Sequence, residues 1–375
     1  MRKMTEHQLD NARELIRERR DELGGTVQED DSVSQSSKKK RKKAISETKI
    51  LEVKNLHVAF KTYGGEVHAV RGVSFDLYRG ETLAIVGESG CGKSVTSNAI
   101  MGLIPKPSGI IKNGSITFKG KDTTKLSNKE LRKIQGVDIS MIFQDPMTAL
   151  NPTLTIGEQL TEGLRTHKKI TGQQAKEKAI EMLNLVGIPN PVERLKQYPH
   201  QFSGGMRQRI VIAIALICEP ELLVADEPTT ALDVTIQAQI LELFEDIQSK
   251  TNISIILITH DLGVVAKIAD RIAVMYAGKI VEIGDKREIF YTPQHPYTQG
   301  LLNSVPRLDL LDEELQPIEG TPPDLFSPPN GCPFAARCKF AMEVCDRAYP
   351  FTAKLSERHS VDCWLQDERA KKLQR

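Results

Sequence analysis

Long apolar runs are missing from this 375-residue sequence: the longest, 210–217 and 253–258, fall far short of the roughly 20 residues that a membrane-spanning helix needs. No segment is therefore expected to cross a bilayer. A charge excess of one sign is missing too. Lys and Arg total 51 against 49 Asp and Glu, a formal net of +2, which argues against a protein that coats nucleic acid through general basicity. Residues 1–20 are charged throughout and lack the apolar stretch of a secretory signal, so a cytoplasmic chain is expected. No internal repeat is found, which leaves a single copy of whatever unit the chain encodes. What is present, 39% hydrophobic and 27% charged residues, describes a soluble globular chain of two or three domains at about 150 residues each. Cysteine is sparse but unevenly placed. Of six, Cys91 and Cys218 are scattered, whereas Cys332, Cys338, Cys345 and Cys363 fall in the last 44 residues.

Composition divides the chain into three parts. Residues 1–48 carry a thin charged helical pattern and then a Ser-, Asp- and Gln-rich stretch ending in the basic run 38–43, a composition that predicts a disordered tether. The basic run reads as a solvated linker or, more sharply, as a patch for anionic lipid or nucleic acid. From residue 49 to about 290, short apolar stretches alternate with helical patterns, which predicts a largely parallel α/β sheet. The stretch 152–215 is helical with little strand signal and reads as an α-helical insertion. Residues 291–375 are Pro-rich and irregular, as in a small loop-dominated module.

The segment Gly87-Glu88-Ser89-Gly90-Cys91-Gly92-Lys93-Ser94 fits G-x-x-x-x-G-K-[ST] and follows the strand-like Leu83-Ala84-Ile85-Val86. Glycines let backbone N–H groups close on phosphate oxygens, and the helix that begins there adds its positive dipole end. Lys93 is placed to reach the β- and γ-phosphates and Ser94 to ligate Mg²⁺. A second apolar run, Leu222-Leu223-Val224-Ala225, ends in Asp226 and Glu227. Asp226 suits the Mg²⁺ shell, and Glu227 suits polarisation of an attacking water. A glycine-rich turn and a polar strand end are each common alone, and far less so together.

Two further stretches narrow the class. Phe202-Ser203-Gly204-Gly205-Met206-Arg207-Gln208-Arg209 ends 17 residues before Asp226, and resembles the signature sequence of ABC-type ATPases. Gln144 matches that family's Q-loop, Ala231-Leu232-Asp233 its D-loop, and His260, after Ile255-Ile256-Leu257-Ile258-Thr259, its switch histidine. The order of motifs resembles the family over residues 50–285. The resemblance implies an α/β P-loop fold with a RecA-like core, an antiparallel β subdomain and the helical insertion. It implies an ATP site formed by Tyr63, Gly87, Ser89, Gly90, Cys91, Gly92, Lys93, Ser94, Val95, Gln144, Asp226 and His260, with Mg²⁺ on Ser94, Gln144 and Asp226. Catalysis would fall to Glu227, His260, Gln144 and Lys93. Ser203, Gly204, Gly205, Met206 and Gln208 would act on ATP held by a second ATPase subunit, with Asp233 at the joint.

Met206 stands where many ABC ATPases carry Gln, as in the subfamily that imports oligopeptides and dipeptides. Gln144 to Pro152, His295-Pro296-Tyr297-Thr298-Gln299-Gly300-Leu301-Leu302 and Gly331-Cys332-Pro333-Phe334 are similar to that subfamily as well. The spacing Cys332-x5-Cys338-x6-Cys345-x17-Cys363 contains no C-x₂₋₄-C knuckle, and the residues alone leave a 4Fe-4S cluster, zinc and packed free thiols open. The subfamily resemblance implies the 4Fe-4S cluster. It further implies a peptide importer's ATP-hydrolysing subunit, peripheral on the cytoplasmic face of the cell membrane. Its partners would be a second ATPase subunit, giving a heterodimer, two permeases and, indirectly, an extracytoplasmic peptide-binding protein. A nickel or metal-chelate importer uses the same motifs; a soluble ABC ATPase working on nucleic acid or ribosomes has only the basic run in its favour, and no nucleic acid is expected.

Overall fold

A turn at Tyr63 and Gly64 folds two 14-residue strands back on each other, β1 (Lys49–Thr62) and β2 (Gly65–Tyr78). The computed structural model describes residues 48–144, 146–168, 170–229, 233–304 and 318–373; the helix and tether expected over 1–48 lie outside them except for Thr48. The chain then enters β3 (Thr82–Val86) and the helix α1 (Lys93–Ile100) before returning to β4 (Gly109–Phe118) and β5 (Lys121–Asp122). Strands β2-β1-β4-β5 form a four-stranded antiparallel sheet. After α2 (Asn128–Ile134) comes β6 (Ile139–Ile142).

The helical insertion consists of α3 (Ile156–Gly163), a π-helical turn Leu164–Lys168, α4 (Gly172–Leu185) and α5 (Gly204–Leu216). Thr155 and Thr171 start α3 and α4 with reciprocal capping boxes to Glu158 and Gln174, which satisfies backbone donors at each helix start. Strand β7 (Leu222–Asp226), α6 (Val234–Thr251), β8 (Ser254–Ile258), α7 (Leu262–Ile268), β9 (Arg271–Tyr276) and β10 (Lys279–Asp285) follow. The last part holds α8 (Lys286–Tyr291), α9 (Pro296–Asn303), α10 (Glu343–Arg347), β11 (Thr352–Lys354) and β12 (Ser360–Asp362).

The larger sheet has eight strands in the order β11-β12-β10-β9-β3-β8-β7-β6. Strands β3, β7, β8 and β9 are buried at every residue, as expected of strands covered on both faces. On one face Leu160, Leu183, Ile212 and Phe244 pack with Leu223, Ile255 and Leu257. On the other the antiparallel sheet brings Leu51, Leu56, Phe75 and Ile116 against Leu83, Ile85 and Ile256. Glu81 and Arg271 form a buried ion pair, Nη1 to Oε1 3.1 Å, that ties the start of β3 to β9; loss of one partner costs about 3–5 kcal/mol.

The Cys-rich stretch does not stand apart. Its hairpin continues the main sheet, β12 pairing antiparallel with β10 and β11 with β12. Tyr297 and Phe334 enter a core with Val86, Val274 and Tyr276, with ring centroids 4.5 Å (Tyr276–Tyr297) and 5.3 Å (Tyr276–Phe334) apart. A segment with so few apolar residues gains its burial by using the ATPase sheet as its floor.

Just before β12, His359 meets Glu282 of β10, Nε2 to Oε1 at 2.8 Å, both nearly inaccessible. Burial opposes Glu282's charge, but hydrogen bonds from His359 and from the backbone N–H groups of Gln294 and His295 outweigh it and hold the carboxyl below 4.5. The bond to Glu282 raises His359 above 6.5, against its own burial, with Glu288 and Asp285 adding attraction. A raised folded-state value means the histidine's stabilisation is complete below 6.5 and is lost as pH climbs through that higher value. Urea unfolding of the full chain between about pH 6 and 8 should show stability falling with pH. In His359→Gln that slope should flatten, and an unchanged slope would remove this pair as its source.

Candidate functional site

Parallel strands place their C-terminal ends on one edge, and here the register aligns them. Ile85 of β3 lies opposite Ile258 of β8, and Asp226 of β7 opposite the same Ile258. The residues that leave those ends are Gly87, Glu227 and His260, joined by Gln144 two residues beyond β6. Four motifs distant in sequence thus share one rim.

The phosphate-binding loop is braced by its own glycines. Gly87 (φ 151°) and Gly92 (φ 100°) adopt backbone conformations closed to other residues. Added Cβ atoms would come within 2.1 Å of the Met275 carbonyl oxygen and 2.4 Å of the Ala69 carbonyl oxygen, so the loop sits directly on its neighbours' backbone. Ser89 and Gly90 are exposed, Cys91, Gly92 and Lys93 buried, and Val95 packs on the sheet core. Lys93 Nζ donates to the Gly87 and Glu88 carbonyls at 2.8 and 2.9 Å. Burial pushes the Cys91 thiol up, which makes it a packing residue rather than a nucleophile.

The two carboxylates after β7 have separate partners. Asp226 Oδ1 accepts from Ser94 Oγ at 3.1 Å and Oδ2 from Ser97 Oγ at 3.5 Å. Burial raises Asp226 above the ordinary 3.8, with Glu227 adding repulsion. Sequence reasoning passes over Ser97, although its i+3 spacing from Ser94 is a readable signal of a shared helix face. Glu227 is held in the left-handed region at φ 47°, a strained setting for this residue type that costs about 1–3 kcal/mol. Its Oε2 accepts from Gln144 Nε2 at 2.9 Å, and its Oε1 lies 3.2 Å from His260 Nδ1. The Gln144 amide nitrogen therefore reaches Glu227. The carboxylate pair offers one acid beside the loop's hydroxyl and another between an amide and an imidazole, an arrangement able to hold a cation and a polarised water side by side.

Ser203 caps α5, its Oγ accepting from the Met206 N–H at 3.4 Å, and Ser203 and Gly204 are exposed at that helix start. Gly205 and Met206 are half-buried, and Asp233 caps α6 from an exposed position. Gln208 departs from the expectation that it faces a partner's nucleotide. One turn along α5 from Gly204, it falls on the inward face with Val211 and Ile212, 1% exposed, and donates from Nε2 to the Pro228 carbonyl at 2.6 Å. It fastens the signature helix to the loop carrying Glu227. Tyr63 is fully exposed at the β1–β2 turn, with no described neighbour fixing its ring.

The four terminal cysteines lie on three segments: the 3₁₀ turn Ala335–Arg337 separates Cys332 from Cys338, Cys345 lies on α10, and Cys363 follows β12. The Cys332 N–H donates to the Cys345 carbonyl at 2.7 Å. Burial first, with neighbouring cysteines adding repulsion, pushes the Cys332 thiol up to about 11 and the Cys363 thiol up to about 12. Among the described residues no group of three or more His, Cys, Asp or Glu is arranged to hold a metal ion.

Two family models match, "ABC transporter" over residues 70–230 and "Oligopeptide/dipeptide transporter, C-terminal region" over 281–345. The dipeptide transport ATP-binding protein DppD of Bacillus subtilis is 71% identical over 322 residues, covering 86% of this chain and 96% of that one. The oligopeptide transport ATP-binding protein OppD of the same organism is 60% identical over 331 residues, covering 88% and 92%. Among solved structures, a dimeric post-hydrolysis ATP-binding cassette bound to ADP and phosphate superposes with a TM-score of 0.56 at 28% identity, covering 63% of this chain and 98% of that one.

Replacing Gln208 by Leu leaves the Pro228 carbonyl without its donor inside the protein. A loss of about 1–3 kcal/mol is expected. Chemical denaturation checks it, and wild-type stability would show that the Gln208 bond contributes nothing.

Proposed function

The chain belongs to the ATP-binding subunits of ABC transporters, in the oligopeptide/dipeptide importer group, and we propose a division of labour among its residues. It hydrolyses ATP to drive uptake of oligopeptides or dipeptides through membrane permeases. The observation that carries the residue assignments is the split pair of carboxylates, Asp226 on Ser94 and Glu227 between Gln144 and His260.

The loop from Gly87 to Val95 wraps the triphosphate, and Lys93, now capping two loop carbonyls, turns to the phosphates when nucleotide arrives. The juxtaposed oxygens of Ser94 and Asp226 fit a divalent cation, with Gln144 completing the set once its amide leaves Glu227. Mg²⁺ bound there neutralises charge on the β- and γ-phosphates. Glu227 orients the attacking water, its carboxylate held by His260. His260 and Lys93 face the γ-phosphate as charge accumulates in the in-line displacement. Tyr63 is free to stack on adenine.

A chain with one phosphate-binding loop and one signature needs a second ATPase subunit to close two nucleotides between them, and we assign that partner to a different chain. Ser203, Gly204 and Gly205 present a helix start with free N–H groups to the partner's γ-phosphate; Gln208 holds that helix in place. Among the described residues no helix is long and apolar enough to cross a membrane. The subunit then works peripherally, at the cytoplasmic face, against two permeases, with a peptide-binding protein on the other side.

The four cysteines are proposed to hold a 4Fe-4S cluster. The four are free thiols, Cys345 and Cys363 buried and Cys332 and Cys338 half-buried, and four partly shielded Cys ligands are what such a cluster takes.

Glu227→Gln should bind ATP normally and lose about 10²-fold or more in turnover, measured as phosphate release by the assembled transporter. Wild-type turnover would remove Glu227 from the water. Anaerobically purified protein should contain iron and acid-labile sulfide with broad visible absorbance, lost in Cys332→Ser. Stoichiometric zinc without iron would overturn the cluster.

A further inference from the structure

Glu88 is an acidic residue inside a loop whose ligand is a polyanion, and nothing in the mechanism above uses it. Its carboxylate is gripped by Arg337, which sits between Cys332 and Cys338. Nη1 donates to Oε2 at 2.8 Å and Nη2 to Oε1 at 3.0 Å, a planar fork on a planar acid. The other guanidinium donors are used as well: Nη1 to Tyr276 Oη at 3.1 Å, Nη2 to the Ile318 carbonyl at 3.0 Å, and Nε to the Glu319 carbonyl at 2.9 Å. All five N–H groups of Arg337 therefore have acceptors, and its side chain is only 6% exposed. A second hold reaches the same loop residue, since the Glu88 N–H donates to Tyr297 Oη at 2.9 Å, and Tyr297 is fully buried. The Glu88 carbonyl accepts from Lys93 Nζ at 2.9 Å and from the Cys91 N–H at 3.4 Å.

We propose that Arg337 is a positioning residue for the phosphate-binding loop: it neutralises Glu88 and fixes the loop, so that the four-cysteine segment and the nucleotide site change state together. The inference rests on the ATP-site reading. Arg337 touches no reacting atom. Its effect runs through Glu88, whose unpaired carboxylate would repel phosphate at short range in a partly buried setting. Coupling between two sites is reciprocal, so nucleotide bound at the loop must also tighten the segment that carries Cys332 and Cys338.

The test measures equilibrium binding of a non-hydrolysable ATP analogue to the purified full chain. Arg337→Gln should weaken binding about tenfold, and adding Glu88→Gln in the same chain should restore most of it by removing the exposed charge. In wild type, nucleotide should slow hydrogen exchange of the backbone amides of residues 332–338, and in Arg337→Gln it should not. Where Arg337→Gln does not fold, Arg337→Lys, which keeps the charge and loses the fork, should bind with intermediate affinity. Unchanged affinity in either Arg337 variant, or a weakening that Glu88→Gln leaves in place, would overturn the proposal. Failure of wild type itself to bind nucleotide would instead overturn the ATP-site reading.

Discussion

The shared direction of β3, β8, β7 and β6 is the constraint on which the rest depends. Strands buried on both faces have no freedom to slip without exchanging a whole set of apolar contacts, so their register is fixed by the core. That register brings Ile85, Ile258 and Asp226 to one level. The loops that leave there have little choice about where their side chains go. Even the strain at Glu227 belongs to this geometry: its N–H is tied to the Ile258 carbonyl at 2.8 Å, and the left-handed turn follows from keeping that bond while the chain leaves the sheet.

A second layer of constraint comes from the far end of the chain. Tyr276, Tyr297 and Phe334 form an aromatic wedge, T-shaped or tilted in each pair, between the main sheet and the cysteine-bearing segment. Burial at this wedge puts Tyr297 Oη on the Glu88 N–H and Arg337, itself bonded to Tyr276 Oη, on the Glu88 carboxylate. The same residues thus anchor the C-terminal segment and shape the site, and the two roles are not separable in the fold.

Much of this was legible in the sequence because it is written locally. A phosphate-binding loop needs glycines at fixed offsets, and the carboxylates at 226 and 227 end an apolar run that only a buried strand explains. Gln208 misleads because its neighbours Ser203 to Gly205 face outward, while one further helical turn carries it into the core; periodicity, not motif membership, decides its direction. The pairs Glu88–Arg337 and Glu282–His359 could not be read, since a salt bridge across 249 or 77 residues leaves no pattern in a single sequence. The joining of β12 to β10 was hidden likewise, because three-residue strands such as Ser360–Asp362 carry too little periodicity to register.

That last pairing bears on how the protein is made. Synthesis delivers β10 some seventy residues ahead of β12, so one border of the eight-stranded sheet stands with an unpaired ladder until β12 emerges. Glu282 waits over the same interval for His359, a buried acid in search of its base. Completion of the sheet therefore waits on β12, and a ribosome that stops before it releases a cassette whose nucleotide motifs are all present but whose sheet can still add a stranger's strand.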